Sequence, residues 1–586
     1  MTATAPAAIT LAGQPGVTVE YGLTCPMRDG VDLMTDVYRP ADAAGDLPVI
    51  LMRLPYDKTM AENIAYAHPS WYCRQGYLVA IQDCRGRWAS GGEWHPFRDE
   101  ASDGEDAIAW AAALPGSSGK VGMYGFSYAG ATQLLPAVRR PPALAAICPA
   151  MTGANYGEGW TYSGGALNLA FVASWALDLA GSGARGRGDM DEAGRLAAAF
   201  NALAGHFHEL PLKRFSPLSR KAAPWFFDWL DNPTPGDYWD QWSIELDYAR
   251  VAVPGLHIGG WYDVFLGGTV RNYAGLAAGA GSASSRETQK LVIGPWYHMP
   301  WQPLGAPGEP ADHTVVDELQ VAWFDRYLKG RQTPTRLPDT PVLLYLMGDD
   351  RWRGFDSWPP PGSTPTPFFL HSAGRANSAS GDGALSAERP GAQPPDVYTY
   401  SPVYPNYSQG GDSCCYPHVS PMGPADQGPA EAWNSLLCYT GAPLDRDLYV
   451  AGDCHVTLFA ASSARDTDWA ARLCVVDPAG VSTNLKNGII RARYRDGFAA
   501  PALLEPHRVY EYRIDLGPVG ARIPAGSRIR LDIASSDFPL HDRNLNTGGP
   551  LFEEDLSAAV IATQSVLHDA DHPSCLWLPV MPAPRD

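Results

Sequence analysis

Between residues 47 and 300, short runs of unbroken apolar residues recur, each followed by a turn and a longer stretch of helical or irregular pattern. The clearest are LPVILMRL (47–54), YLVAIQD (77–83), KVGMYGF (120–126), LAAICPA (144–150), VPGLHIGGW (253–261) and KLVIGPW (290–296). Continuous rather than alternating hydrophobicity marks strands buried on both faces, and their alternation with helical stretches predicts a parallel sheet covered by helices. About a hundred residues separate LAAICPA from VPGLHIGGW, far more than one crossover helix needs. The stretches GGALNLAFVASWALDLAG and DEAGRLAAAFNALAG within that interval have helical spacing and Ala/Leu content. They predict a helical cap inserted over the sheet. A last helix is expected over TVVDELQVAWFDRYLKG (314–330).

The pattern then changes. Residues 360 to 430 are dense in Pro, Gly and Ser and read as linker and long loops. Beyond them, DLYVAGDCHVTLFAAS, WAARLCVVDP, IIRARYRDG, RVYEYRIDLG and RIRLDIASS alternate polar and apolar residues between turns, the pattern of an antiparallel β-sandwich. The expected organisation is an α/β core in two parts (1–152 and 251–358), an inserted helical cap (153–250) and an all-β C-terminal domain (359–586). A chain of 586 residues exceeds a single core, so several domains are expected from size alone.

Composition narrows the functional classes. Hydrophobic residues make up 45% and charged residues only 18%, the profile of a globular enzyme. The net charge of −19 with no Lys/Arg run argues against nucleic acid and anionic membrane as partners. The first 27 residues hold no Lys or Arg, and Pro6 breaks the weakly apolar start APAAITLAG. The basic and apolar parts of a secretory signal are missing, and no apolar run approaches a membrane span. A cytoplasmic location is expected. Ten cysteines are scattered without Cys-x-x-Cys or metal-like Cys/His spacing, so neither a disulfide framework nor a metal site is expected. The neighbours Cys414 and Cys415, in a Gly/Pro-rich stretch, could form a vicinal disulfide or stand as two thiols.

The chemistry centres on Tyr124-Gly125-Phe126-Ser127-Tyr128-Ala129-Gly130, which follows one apolar run and precedes the helix-like ATQLLPAV. A serine there stands on the sharp turn between strand and helix with its hydroxyl above the sheet, and small residues two before and two after it relieve backbone crowding. Gly125 and Ala129 meet that need, although the pattern is G-x-S-x-A rather than G-x-S-x-G. Such a serine needs a histidine to take its proton and a carboxylate to orient that histidine, in the chain order Ser, Asp or Glu, His. Asp263 follows the run ending at Trp261, and His298 follows the run ending at Trp296. Each therefore lies just past the carboxyl end of a predicted strand, where open α/β sheets hold their ligands. For the oxyanion, the backbone N–H of Tyr128 is one expected donor, and the loop Pro55-Tyr56-Asp57-Lys58 should supply the other.

Collinear with these residues run PMRDGVDLMTDVYRP, PYDK, IQDCRGRWASGGEW, GMYGFSYAG, GGWYDVFLG, GPWYH, RDTDWAARLCVVDPAG and SSDFPLHDRNLNTGG. Together they resemble the CocE/NonD family of α/β-hydrolases over nearly the whole chain, and the family's elbow is G-x-S-Y-x-G. The resemblance implies an α/β-hydrolase fold with an inserted helical cap, followed by an all-β jelly-roll C-terminal domain. It implies that the Tyr56 hydroxyl joins the Tyr128 N–H in the oxyanion hole, and that Trp160, Trp175 and Phe265 hold an aromatic or bulky acyl group. Residues 58 to 71 match less well, which leaves the leaving-group side open.

The expectation is a serine hydrolase of carboxylic esters that works through an acyl-serine intermediate, with a small-molecule ester or amide as substrate and neither metal nor organic cofactor. Competing readings are a hydrolase of amino acid esters or amides (an acylase), and an X-Pro dipeptidyl peptidase. Both need an acidic group for the substrate ammonium. Glu158 and Asp178 in the cap are candidates, although solvated surface or helix-end charges are the simpler reading of both. A non-catalytic binding protein on the same scaffold is the alternative from another class. The strand edges of a large β-sandwich are compatible with a homodimer.

Overall fold

The computed structural model describes residues 9–10, 14–62, 65–298 and 312–584. Most of the apolar N-terminal stretch and residues 63–64 of the weakly matching 58–71 segment lie outside them. The first sheet contains β1 (Ile9–Thr10), β2 (Val17–Pro26), β3 (Asp32–Pro40), β4 (Leu47–Leu54), β5 (Leu78–Asp83), β6 (Ser117–Phe126) and β7 (Leu144–Ala150). After a small hairpin of β8 (Tyr162–Ser163) and β9 (Ala166–Leu167), the sheet resumes with β10 (Gly255–Tyr262), β11 (Gln289–Tyr297), β12 (Val342–Leu346) and β13 (Arg351–Phe355). Its spatial order is β1-β2-β3-β5-β4-β6-β7-β10-β11-β12-β13. All pairs from β5 through β12 are parallel, and the outer pairs are antiparallel. The six runs expected as strands form β4, β5, β6, β7, β10 and β11, and β10 is buried along its whole length. Because β5 lies on one side of β4 and β6 on the other, the chain reverses direction across the sheet at β4 and β6, the switch point where such sheets open a crevice.

On the two faces pack α1 (Pro69–Arg74), α2 (Glu100–Ala112) and α3 (Tyr128–Ala137). β7 and β10 pair directly, with Ile258 beside Ala150, although residues 151–254 intervene. That interval holds the β8–β9 hairpin, α4 (Leu169–Gly186), α5 (Met190–Asn201), α6 (Leu203–His206), α7 (Pro224–Asp231) and α8 (Asp237–Asp240). The helical reading of GGALNLAFVASWALDLAG is corrected at its start: Gly164 and Gly165 have φ of +55° and +79°, which turns the chain into the hairpin before α4 begins. After β10 come α9 (Leu266–Gly279) and α10 (Ala283–Glu287), and α11 (Val315–Phe324) precedes β12. Thr314 and Asp317 form a capping box at the start of α11. Among the described residues, no helix is long and apolar enough to cross a membrane.

The C-terminal half is an all-β jelly roll. Its strands are β14 (Thr364–His371), β15 (Ala384–Ser386), β16 (Asp396–Tyr400), β17 (Leu437–Gly441), β18 (Leu448–Ser462), β19 (Asp468–Val476) and β20 (Ser482–Arg491), then β21 (Tyr510–Ile523), β22 (Arg528–Ala534), β23 (Ala562–Leu567) and β24 (Cys575–Met581). Three of these, β14 to β16, fall in the stretch expected as linker and loops. β14 contains Pro365 and Pro367, which donate no hydrogen bond; there β14 pairs only with β24, and β15 joins it from Phe369 onward. The prolines thus occupy an open strand edge, and their density reads as loop in the sequence.

The hairpin of the insert docks on this jelly roll. Arg491 donates through Nε and Nη2 to Asp468 at 3.0 Å and through Nη2 to Asp542 at 2.9 Å, all three groups being buried. Asp542 also accepts from the Leu167 N–H at 2.7 Å, and the Arg491 N–H donates to the Gly164 carbonyl. Removing the guanidinium leaves two buried carboxylates uncompensated. Arg491→Met is expected to destabilise the chain by about 3–5 kcal/mol, read as a lower urea midpoint; an unchanged midpoint would show that the carboxylates find other partners.

Candidate active site

The sequence places Ser127 between β6 and α3, and the backbone there takes φ +62° and ψ −127°. Such a conformation is costly for a residue with a side chain, and the surrounding packing holds it. The Ser127 N–H donates to Ala150 O of the adjacent strand at 2.9 Å, and the Gly130 N–H donates back to Ser127 O. A Cβ on Gly125 would meet the Ala129 methyl at 2.6 Å, and one on Gly130 would meet Thr152 at 2.7 Å. The elbow therefore requires glycine at 125 and 130, and it accepts alanine at 129. Ser127 is 5% exposed.

Asp263 and His298 stand past the ends of neighbouring strands β10 and β11. His298 Nδ1 lies 2.8 Å from Asp263 Oδ1, and both side chains are buried. Asp263 Oδ2 has no hydrogen-bond partner among the described residues, so the carboxylate is committed to the histidine. The imidazole lies 5.7 Å from the ring of Phe126, the residue before the serine. With Nδ1 occupied by Asp263, Nε2 is the nitrogen free to take a proton.

Tyr56 follows β4 and points its hydroxyl into the same place. Trp175 Nε1 donates to that hydroxyl at 3.0 Å, which uses a lone pair and leaves the O–H to donate elsewhere. Burial pushes the Tyr56 phenol up to about 12, with Trp175 and Ser127 pulling the other way, so it keeps its proton throughout the neutral range. The Tyr128 N–H, first in α3, has no acceptor within the helix. Its phenol is tied down: it donates to Glu100 Oε1 at 2.9 Å and accepts from the Phe97 N–H at 2.8 Å. Glu100 is in turn paired with buried Arg53 at 2.7 Å. This network orients the start of α3, and nothing in the local sequence reveals it.

The three aromatic residues expected in the acyl pocket converge. Trp160 stacks on Phe265 with centroids 4.1 Å apart, Phe265 meets His298 edge-on at 5.0 Å, and Trp160 meets Trp175 at 6.0 Å. Trp175 thus has a second task besides packing, the hydrogen bond to Tyr56. The acidic candidates separate. Glu158 accepts from the Gly164 N–H at 2.8 Å and braces the hairpin. Asp178, one turn beyond Trp175 on α4, is half-buried with no ion-pair partner within 4 Å among the described residues; burial raises its carboxyl, with Tyr416 and Arg87 opposing. A surface cavity of about 460 Å³ beside Leu256 and Lys290 lies at the opposite end of β10 and β11 and has no part in this arrangement.

One contribution comes from far along the chain. The segment from Gly411 to Gly423 closes on itself through paired backbone hydrogen bonds, and Ser413 pairs with Asp263 as a strand-like bridge. Cys414 and Cys415, joined to each other, are thereby carried to His298. Sequence offered only the adjacency of the two cysteines as a signal.

Comparison with known proteins gives the family and the fold. Residues 29–300 match the model of the X-Pro dipeptidyl-peptidase (S15) family, and residues 336–576 match that of the X-Pro dipeptidyl-peptidase C-terminal non-catalytic domain. The cocaine esterase of Rhodococcus sp. (strain MB1 Bresler) is 36% identical over 579 residues, covering 96% of this chain and 99% of the relative. An aminopeptidase from the marine sediment archaeon Thaumarchaeota archaeon shares the fold with TM-score 0.80 at 24% identity, covering 98% of both chains. An α-amino acid ester hydrolase does so with TM-score 0.77 at 24% identity, covering 99% of both. A strained serine elbow, a buried Asp–His pair, two family models and a 36% identical relative aligned almost end to end converge: the chain belongs to the CocE/NonD family and is a serine ester hydrolase.

Proposed function

We propose that the chain cleaves carboxylic esters with an aromatic or bulky apolar acyl group, with Ser127 as nucleophile, His298 as base and Asp263 as its orienting carboxylate. The observation that carries the substrate class is the stack of Trp160 on Phe265 against His298, which gives the acyl side apolar aromatic walls beside the reacting serine. His298 Nε2 takes the Ser127 proton as Oγ attacks the acyl carbon, and returns it to the departing alcohol. Asp263 stabilises the imidazolium formed between those steps. The Tyr56 hydroxyl and the Tyr128 N–H stabilise the oxyanion. Water then releases the acid from the acyl-serine with His298 again as base. The eight remaining cysteines, all buried and unpaired, support a cytoplasmic setting.

Aryl-acyl esters are expected to outcompete acetyl esters of the same alcohol in kcat/KM, and Trp160→Ala should shrink that preference. Equal rates on both, or faster cleavage of X-Pro amides, would remove the aromatic-acyl reading. Asp178 favours a second reading in which the substrate carries a cationic group, since a half-buried carboxylate near Tyr56 with no ion-pair partner within 4 Å among the described residues attracts one. Including α-amino acid esters in the same panel, with and without Asp178→Asn, separates the two.

Tyr56→Phe is expected to lower kcat about 10²–10³-fold with little change in KM, because its hydroxyl serves the oxyanion more than the ground state. Since burial raises the phenol, its donor proton is lost only near pH 12. The pH profile of the variant should therefore keep the wild-type shape over the working range, and a missing alkaline limb in Tyr56→Phe would show that Tyr56 titrates in catalysis.

A further inference from the structure

The vicinal cysteines are unlike the others in the chain. Eight cysteines lie buried and unpaired, most of them in apolar cores, where burial pushes the thiol up, as at Cys148. Cys414 is fully buried as well, but Cys415 is half-exposed and has φ +74°. Their carrier is firmly held. Gly411 and Gly423 exchange backbone hydrogen bonds of 2.8 and 2.9 Å, and the Ser413 N–H reaches Tyr262 O. A Cβ on Gly423 would strike the Tyr297 ring, so the loop base sits directly on the residue before His298. A ring nitrogen of His298 and the two sulfurs lie within 4.8 Å of one another. Asp263 occupies Nδ1, so Nε2 is the nitrogen proposed as the ligand.

Two thiolates and an imidazole form a donor set for a soft divalent cation of the zinc or cadmium type. We propose that Cys414, Cys415 and His298 form a redox-gated site for such a cation, which inhibits hydrolysis by occupying the histidine nitrogen that must accept the Ser127 proton. The inhibitory part rests on the assignment of His298 as base. In the disulfide state the sulfurs carry no free thiolate and the site is closed. Two equivalents of an external thiol supply two electrons and two protons, leave as their own disulfide, and yield two cysteine thiols. The cation then displaces both thiol protons and takes the Nε2 lone pair, leaving a fourth tetrahedral position for water. Tetrahedral N and S ligands of zinc stand roughly 3.5 Å apart, a span compatible with the distance between His298 and the cysteines once the reduced sulfurs have moved apart. Among the described residues, the other compact donor group is Glu431, Cys474 and Asp532, and there Arg530 is already bound to Glu431.

The test uses the full chain, reduced with a phosphine or oxidised, and titrated with cadmium alone. Binding is followed by the sulfur-to-cadmium charge-transfer band, and ester hydrolysis is compared with each sample's own metal-free rate. Reduced protein is expected to bind one ion at this site and lose activity, with recovery on adding EDTA, whereas the oxidised protein should do neither. The double variant Cys414→Ser/Cys415→Ser should lose the band of this site and the inhibition, and His298→Gln should weaken the band. A band of equal strength in the double variant, or one that His298→Gln leaves unchanged, would overturn the site. Cadmium binding sensitive to all three residues but without inhibition would overturn the inhibitory role. The metal-free rate of His298→Gln tests the base assignment independently of both.

Discussion

Ser127→Ala is expected to lower kcat for ester hydrolysis on the order of 10⁶-fold, the loss typical when the nucleophile of such a triad is removed. The expectation is large because no other side chain can take its place. Ser127 alone stands on the turn from β6 to α3, its backbone held by Ala150 O and Gly130 N, and the neighbouring Tyr56 phenol is raised to about 12 and too weakly acidic to act as nucleophile near neutrality. Alanine must adopt the same positive φ, but the elbow's contacts are backbone contacts and glycine-tight packing, which the variant keeps. Folding should survive, as judged by circular dichroism. Some catalysis over water should remain, because the oxyanion donors still bind the tetrahedral intermediate. Labelling by a fluorophosphonate should vanish. A variant with most of the wild-type rate would place the nucleophile elsewhere.

The second large effect concerns Asp263. Asp263→Asn is expected to cost about 10⁴-fold in kcat with little loss of stability. An amide of the same shape still meets His298 Nδ1, but it carries no charge to stabilise the imidazolium and can offer an N–H that favours the wrong tautomer. The pair is buried, so water cannot replace the missing charge. Among the described residues, Oδ2 of Asp263 accepts no hydrogen bond, so the exchange breaks no second contact there. Fluorophosphonate labelling of Ser127 should slow in parallel, which a defect confined to substrate binding would not produce. A drop of less than tenfold would mean that His298 is oriented mainly by its aromatic neighbours Phe126 and Phe265.

The sequence by itself determined the central sheet and the residues proposed to react. Strands buried on both faces must be continuously apolar, so β4 to β7, β10 and β11 stand out without reference to anything they touch. The elbow is legible because steric crowding between Gly125 and Ala129 is local to one turn, whereas Gly130 is required by Thr152 of another segment. Asp263 and His298 follow from chain order and strand ends. The jelly roll was legible where strands alternate cleanly, and illegible at β14, where prolines on an open edge mimic a loop.

What only the tertiary structure decided are the contacts between segments distant in the chain. Trp175 donates to Tyr56 across 119 residues, and Tyr128 is held by Glu100 on the far side of β6. Arg491 of the jelly roll anchors the hairpin of the insert, and Ser413 brings Cys414 and Cys415 to His298. No local pattern encodes these pairings. Each depends on complementary packing of surfaces from separate parts of the chain, where one side chain's hydrogen bond or charge has meaning only once its partner is in place. The residues proposed to react are therefore readable in the sequence, whereas their orientation and what closes over them belong to the fold.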